Sequence, residues 1–196
     1  MTYLYYSWGP PFIKDRIDEN FRKQLLDRGL KLNKDFRDNL AGHIDKENEY
    51  VLDSDKKFFV ENMQQHIMSF KNHSESYLNK PMFEELKLVK LWINFMKKGE
   101  FNPIHCHSGD ISFVLYLDVP KEINQEQLLC TDTNGGPGAI YFTYGDPANS
   151  WACHLQKFRP ETGDMFMFPA NLGHMVAPFR SDVTRISVSG NFEVIR

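Results

Sequence analysis

Cysteine is scarce in this 196-residue chain, with only Cys106, Cys130 and Cys153. A set so small and odd in number cannot form a disulfide framework, and it points to a reducing, cytoplasmic setting. No apolar run approaches the roughly 18–20 residues of a membrane-spanning helix. The opening MTYLYYSWGPPFIKDR lacks the basic start and apolar centre of a secretory signal. There is no excess of positive charge either. The 23 basic residues against 26 acidic ones give a net charge of −3, which argues against unaided nucleic-acid binding. Internal repeats and low-complexity tracts are missing. What remains is globular composition, 41% hydrophobic and 25% charged, enough for one sizeable core. Aromatic residues are plentiful at 14%, including sixteen Phe, and they crowd the C-terminal half.

The texture of the chain changes near residue 80. Before it, charged and amide residues alternate with apolar ones at helical spacing. Ile17, Phe21, Leu25 and Leu26 form one stripe. Phe58, Phe59, Met63, Ile67 and Phe70 form another, with Asp53 or Ser54 placed to cap it. Both predict amphipathic helices, and the intervening LAGHIDKENEYVL predicts a loop with a short helical turn. After Pro81 the runs are short and β-branched or aromatic: Leu86–Met96, Ile111–Val119, Ala139–Tyr144, Trp151–Phe158, Asp164–Pro169, His174–Phe179 and Thr184–Phe192. Turn-forming segments such as KKGEFNP, TNGGPG, YGDPANS and PETGD separate them. Seven or eight such strands predict an antiparallel sandwich or small barrel. The expected architecture is one domain over 1–196, mainly β (α+β), with helical support in 1–80 and the barrel in 81–196.

His105 and His107 stand two apart at the mouth of a strand, in NPIHCHSGD, so in an extended segment both imidazoles face one way and Cys106 the other. That orientation makes Cys106 a small packed thiol. Asp110 follows a Ser-Gly turn, close enough to supply a carboxylate. His174 opens a later strand after an NLG turn. Two ligands plus one distant histidine suit a three-point metal site with open positions, the arrangement that non-haem Fe(II) needs for substrate and O2. Arg185 and Ser187 then share one face of the last strand, between Ile186 and Val188. A buried arginine there is costly unless it meets an anion, and its planar fork matches a carboxylate. An internal ion pair with Asp164 or Asp182 is the structural alternative.

These residues in this order resemble the Fe(II)/2-oxoglutarate-dependent dioxygenases, and among them the small oxygenases of phages and marine bacteria that carry a paired-histidine first motif. The resemblance covers Leu91 to Phe192. It runs through WINFMKKGEFNP, then HCHSGDISFVLYL, then a Gly-rich hairpin, then RPETGDMFMFPANLGHMVAPFRSDVTRISVSGN. It implies a double-stranded β-helix, or jelly-roll barrel, and an oxidoreductase using Fe(II), 2-oxoglutarate and O2 that hydroxylates a substrate with release of succinate and CO2. His174 is then the distal iron ligand, and Arg185 the partner of the far carboxylate of 2-oxoglutarate. Ser187, Tyr116 and Asn94 are candidates to complete that pocket. The common first motif is His-x-carboxylate, and here the third position is His107. Either His105, His107 and His174 hold the iron, or Asp110 supplies a carboxylate beside one of the pair.

Two readings compete with this one: a cupin-like three-histidine enzyme that does not use 2-oxoglutarate, and a non-catalytic jelly-roll binding module. The Arg185-x-Ser187 pair counts against the first. His66 and His73, two helical turns apart, read as a solvated face rather than a second metal site, and His154 as a rim or lining residue. Nothing in the helical half or in the loops expected around Lys121–Pro137 names a substrate, and a small molecule or a peptidyl side chain both suit the chemistry. The polar helices offer a face for a homo-oligomer contact, and a phage-encoded chain would work in the host cytoplasm.

Overall fold

A computed structural model describes residues 9–132, 134–145 and 154–195. Cys153 and the start of the expected Trp151–Phe158 strand lie outside the described residues. The chain runs β1 (Ile13–Arg16), α1 (Glu19–Gly29), β2 (Glu47–Glu49), α2 (Asp53–Leu78), β3 (Glu85–Met96), β4 (Asn102–His105), β5 (Ile111–Asp118), α3 (Lys121–Leu128), β6 (Ile140–Thr143), β7 (Leu155–Phe158), β8 (Asp164–Pro169), β9 (Gly173–Val176) and β10 (Arg185–Ile195). The strands form two antiparallel sheets. A six-stranded sheet is ordered β1-β8-β5-β10-β3-β2, and a four-stranded sheet β4-β9-β6-β7. Together they make the jelly roll that the strand pattern and the resemblance imply.

The large sheet is buried on both faces, which accounts for its near-continuous apolar runs. Alternation along β5 divides the work. Phe113 and Leu115 turn outward, into a core shared with Phe21 and Leu25 of α1 and Phe59, Met63 and Phe70 of α2. Val114 and Tyr116 turn inward, into a second core with Phe142, Phe166 and Phe168. The aromatic excess therefore serves two layers, since Phe113 stacks on Phe59 of the buttress at 4.8 Å while Phe142 and Phe168 pack edge to face inside the barrel.

Three local expectations are corrected. The N-terminal region is more than helical support, because β1 and β2 are the two edge strands of the large sheet. The segment read as loop contains β2, paired Glu47 to Asn94 and Glu49 to Trp92. The Lys121–Pro137 region contains α3, whose Ile123 and Gln127 are buried. Helix starts differ as well. Leu52 occupies the N-cap of α2 and Asp53 is its first residue, whereas α1 is capped by the Asp18 side chain, which accepts from Phe21 N at 2.9 Å. Among the described residues no helix is long and apolar enough to cross a membrane.

Gly190 marks the tightest packing in the large sheet. It sits between Leu91 of β3 and Phe113 of β5, and a β-carbon there would run into the Phe113 ring and the Lys90 carbonyl. Gly190→Ala is expected to push Phe113 off Phe59 and to cost about 1–3 kcal/mol, measured as a lower denaturant midpoint at unchanged slope.

Candidate metal centre

An edge strand, its inner neighbour and a turn bring three histidines together. β4 is an edge strand, so Pro103 within it forfeits no needed hydrogen bond. Its last residue, His105, lies directly opposite His174 of β9. The chain then leaves the strand, and the His107 N–H donates to Ala170 O at 2.8 Å. Gly109, at φ 95°, makes the left-handed turn into β5, and a β-carbon there would strike Phe192 O. The ligand-type nitrogens of His105, His107 and His174 all lie within 4.8 Å of one another. His107 Nε2 and His174 Nε2 are 3.2 Å apart.

Backbone carbonyls set two of the rings. His105 Nδ1 is 2.7 Å from Pro103 O and His174 Nδ1 is 2.9 Å from Leu172 O. A carbonyl can only accept, so Nδ1 carries the proton in both and Nε2 keeps its lone pair toward the cluster. Burial, then the neighbouring imidazoles, pushes His107 down to about 3. Burial, then His105, pushes His174 down to about 4 against the raising effect of the Leu172 hydrogen bond. Both are neutral at physiological pH, which is the state that binds a metal.

Asp110 is not in this cluster. Its Oδ2 accepts from Val194 N at 2.8 Å, tying the turn to β10. Cys106 points away from the histidines, as the alternation predicts, yet it is exposed rather than packed, with Sγ on Asn171 O. His66 and His73 do not meet. His66 pairs with Asp15 at 2.8 Å, and exposed His73 stacks on Tyr77. His154 is half-buried beside Phe12, Phe142 and Leu172 in a separate cleft.

The other predicted residues lie across the large sheet. Register pairing aligns Glu47, Asn94, Ser187 and Tyr116 in one row over β2, β3, β10 and β5. All four line the same cavity as the three histidines. Asn94 Nδ2 donates to Ser187 Oγ at 3.3 Å, and its Oδ1 accepts from Trp92 Nε1 at 3.0 Å. Arg185 is 2% exposed. Its Nη1 donates to Gly138 O at 2.8 Å, its Nη2 meets Met96 Sδ, and its guanidinium lies 5.2 Å from the centre of the Tyr116 ring. The internal ion pair considered as an alternative is not formed with Asp164, which is held by Lys14 at 3.0 Å and Arg16 at 3.1 Å. Burial lowers the Arg185 pKa, and Nε and the Tyr116 hydroxyl have no hydrogen-bond partner among the described residues. Sequence reasoning missed Trp92, which packs against His107 at 5.7 Å, and Glu47. Trp92 lies on a strand correctly read, and its alternation with Asn94 was the available signal. Glu47 had none.

Residues 90–191 match the family model described as "Putative 2OG-Fe(II) oxygenase", just over half of the chain. The chain belongs to this family. The cofactors of this oxygenase are accordingly Fe(II), 2-oxoglutarate and O2. No curated protein matches it in sequence. Solved structures share its fold at low identity. A prolyl-4-hydroxylase from Pseudomonas putida is 14% identical with a TM-score of 0.58, covering 95% of this chain and 94% of that one. A viral collagen prolyl hydroxylase from Paramecium Bursaria Chlorella virus-1 is 12% identical with a TM-score of 0.60, covering 95% and 98%. HygX from Streptomyces hygroscopicus, solved with nickel and 2-oxoglutarate bound, is 10% identical with a TM-score of 0.56, covering 94% and 83%.

Proposed function

We propose that this oxygenase hydroxylates a C–H bond of a small-molecule or peptidyl substrate, with 2-oxoglutarate converted to succinate and CO2. The observation that carries the reading is Arg185, a buried cation whose protein contacts are a carbonyl, a thioether and an aromatic face. Its unpartnered Nε and the unpartnered Tyr116 hydroxyl suit the far carboxylate of 2-oxoglutarate, because a desolvated guanidinium is stabilised most by a planar anion. Burial pushes the Tyr116 phenol up to about 12, so it stays a neutral donor. Ser187 and Asn94, on the same row, would complete that pocket.

His105, His107 and His174 would hold the iron, with Asp110 left to its structural bond with β10. Iron and 2-oxoglutarate together supply the oxidising chemistry when bound. The protein's share is to fix two of the three imidazoles by carbonyl hydrogen bonds, to anchor the co-substrate, and to keep water from the apolar barrel of Phe142, Phe166 and Phe168. Three neutral imidazoles leave the full charge of Fe(II) uncompensated, which favours a dianionic co-substrate over a neutral one. The prolyl hydroxylases among the structural relatives make a peptidyl substrate the natural starting point. The test is anaerobic addition of Fe(II) and 2-oxoglutarate, expected to raise a weak visible charge-transfer band, followed by O2 and assay of succinate. Absence of both band and succinate sinks the reading.

A further inference from the structure

The polar row across the large sheet ends in two unsatisfied oxygens. At the β5 end the Tyr116 hydroxyl lies beside Arg185, and at the β2 end stands Glu47, 2% exposed, with Oε2 unpartnered. Between them Asn94 and Ser187 bond to each other. The row is thus chemically asymmetric, with the Arg185 cation beside Tyr116 at one end and the Glu47 acid at the other. Among the described residues Glu47 forms no ion pair, and no Lys or Arg lines the cavity. The charged groups that influence it are Glu100 and Asp35, which repel, and Arg37. Arg37 is itself held by Asp35 at 2.6 Å. Burial and Glu100 push Glu47 up to about 7, in keeping with an acid that lacks its counter-charge.

A carboxyl group buried in this way is costly unless something bound there satisfies it. The 2-oxoglutarate dianion cannot, because the two would repel. We propose that Glu47 determines the specificity of this cavity, and that the primary substrate presents a cationic nitrogen, guanidinium or ammonium, to its carboxylate. The inference rests on the oxygenase reading for the word substrate, and on geometry alone for the cation site. Glu47 lies outside residues 90–191, on a strand contributed by the N-terminal region. The family-matched barrel would therefore handle iron and 2-oxoglutarate, while the added edge strand selects what is oxidised.

The probes are n-butylguanidinium and its neutral counterpart n-butylurea, titrated by calorimetry into the protein with and without anaerobic Fe(II) and 2-oxoglutarate. A guanidinium is a poor metal ligand, so binding reports on the acid and not on the iron. Wild type is expected to bind the cation at least about tenfold more tightly than the urea, and Glu47→Gln to lose that preference. Equal affinities, no binding of either probe, or a preference that survives in Glu47→Gln overturns the proposal. Should the variant not fold, the wild-type difference decides it, present in support and absent against. The charge-transfer band of the wild type judges the oxygenase reading separately. A band without a cation preference removes only the role of Glu47, and a preference without a band removes only the oxygenase reading.

Discussion

Arg185→Met is expected to weaken 2-oxoglutarate binding severely while leaving the unliganded barrel as stable as the wild type or more so. The two effects have one cause. Arg185 is 2% exposed and donates to Gly138 O, with Met96 Sδ and the Tyr116 ring as its other neighbours. Asp164 is committed to Lys14 and Arg16. In the unliganded protein the guanidinium is therefore a desolvated charge without an anion, and an apolar side chain of similar length removes that penalty. In the liganded protein the same substitution leaves a dicarboxylate end without its cation, which costs about 3–5 kcal/mol, roughly two to four orders of magnitude in affinity. Titration of the charge-transfer band gives the affinity, and thermal unfolding of the metal-free protein gives the stability. An unchanged 2-oxoglutarate affinity would remove Arg185 from the co-substrate site. A large loss of stability would make it a structural residue. Arg185→Lys keeps the charge and loses the fork, and is expected to fall between.

His174→Ala is expected to abolish stoichiometric iron binding and, separately, to flatten the acid sensitivity of the metal-free protein. His174 lies 4.3 Å from His105 and 5.0 Å from His107 between ring centroids. Its removal takes away a direct donor, so the loss should exceed the about 10–100-fold that deleting a merely supporting hydrogen-bond partner costs. The second effect follows from linkage. Burial, followed by nearby imidazoles, holds His107 at about 3 and His174 at about 4 in the folded state, below the ordinary 6.5. As pH falls through 6.5 the unfolded chain takes up protons that the folded chain refuses, so the metal-free wild type loses stability progressively toward pH 4. Above 6.5 neither histidine contributes. His174→Ala deletes one of these groups and relieves the other, so its unfolding midpoint should depend less on pH between 6.5 and 4. Denaturant melts at several pH values measure this, with metal analysis at neutral pH. A variant that retains full iron, or one with wild-type acid sensitivity, would contradict the assignment of His174.

How much of this was legible in the sequence differs from element to element. β3, β5, β8 and β10 announce themselves because each is rich in β-branched, aromatic and other apolar residues and bounded by turns, so that composition and punctuation agree. The stripes of α1 and α2 are equally plain, since an amphipathic helix writes its buried face at fixed spacing. Three short elements are silent. β1 is IKDR, charged at three of its four residues, and becomes a strand only by pairing with β8, where Lys14 and Arg16 reach buried Asp164. β2 lies in KENEY and exists only as a partner of β3. α3 buries just two residues, Ile123 and Gln127, the latter to hold Pro137 O at 2.6 Å, too few for a periodic signal.

The sequence by itself determined the chemical inventory and its order along the chain: a histidine pair, a distant histidine, then Arg-x-Ser, set in strands that predict a sandwich or small barrel. These are local facts, because side-chain type and strand alternation are properties of consecutive residues. Only the tertiary structure separated Asp110 from His107, since both follow the same strand and diverge at the Gly109 turn, which sends Asp110 to Val194 N while His107 lies with His105 and His174. Only the tertiary structure, too, brought Glu47 opposite Asn94. Register between strands far apart in the chain is fixed by which faces the two cores can bury, and no window of sequence contains both partners.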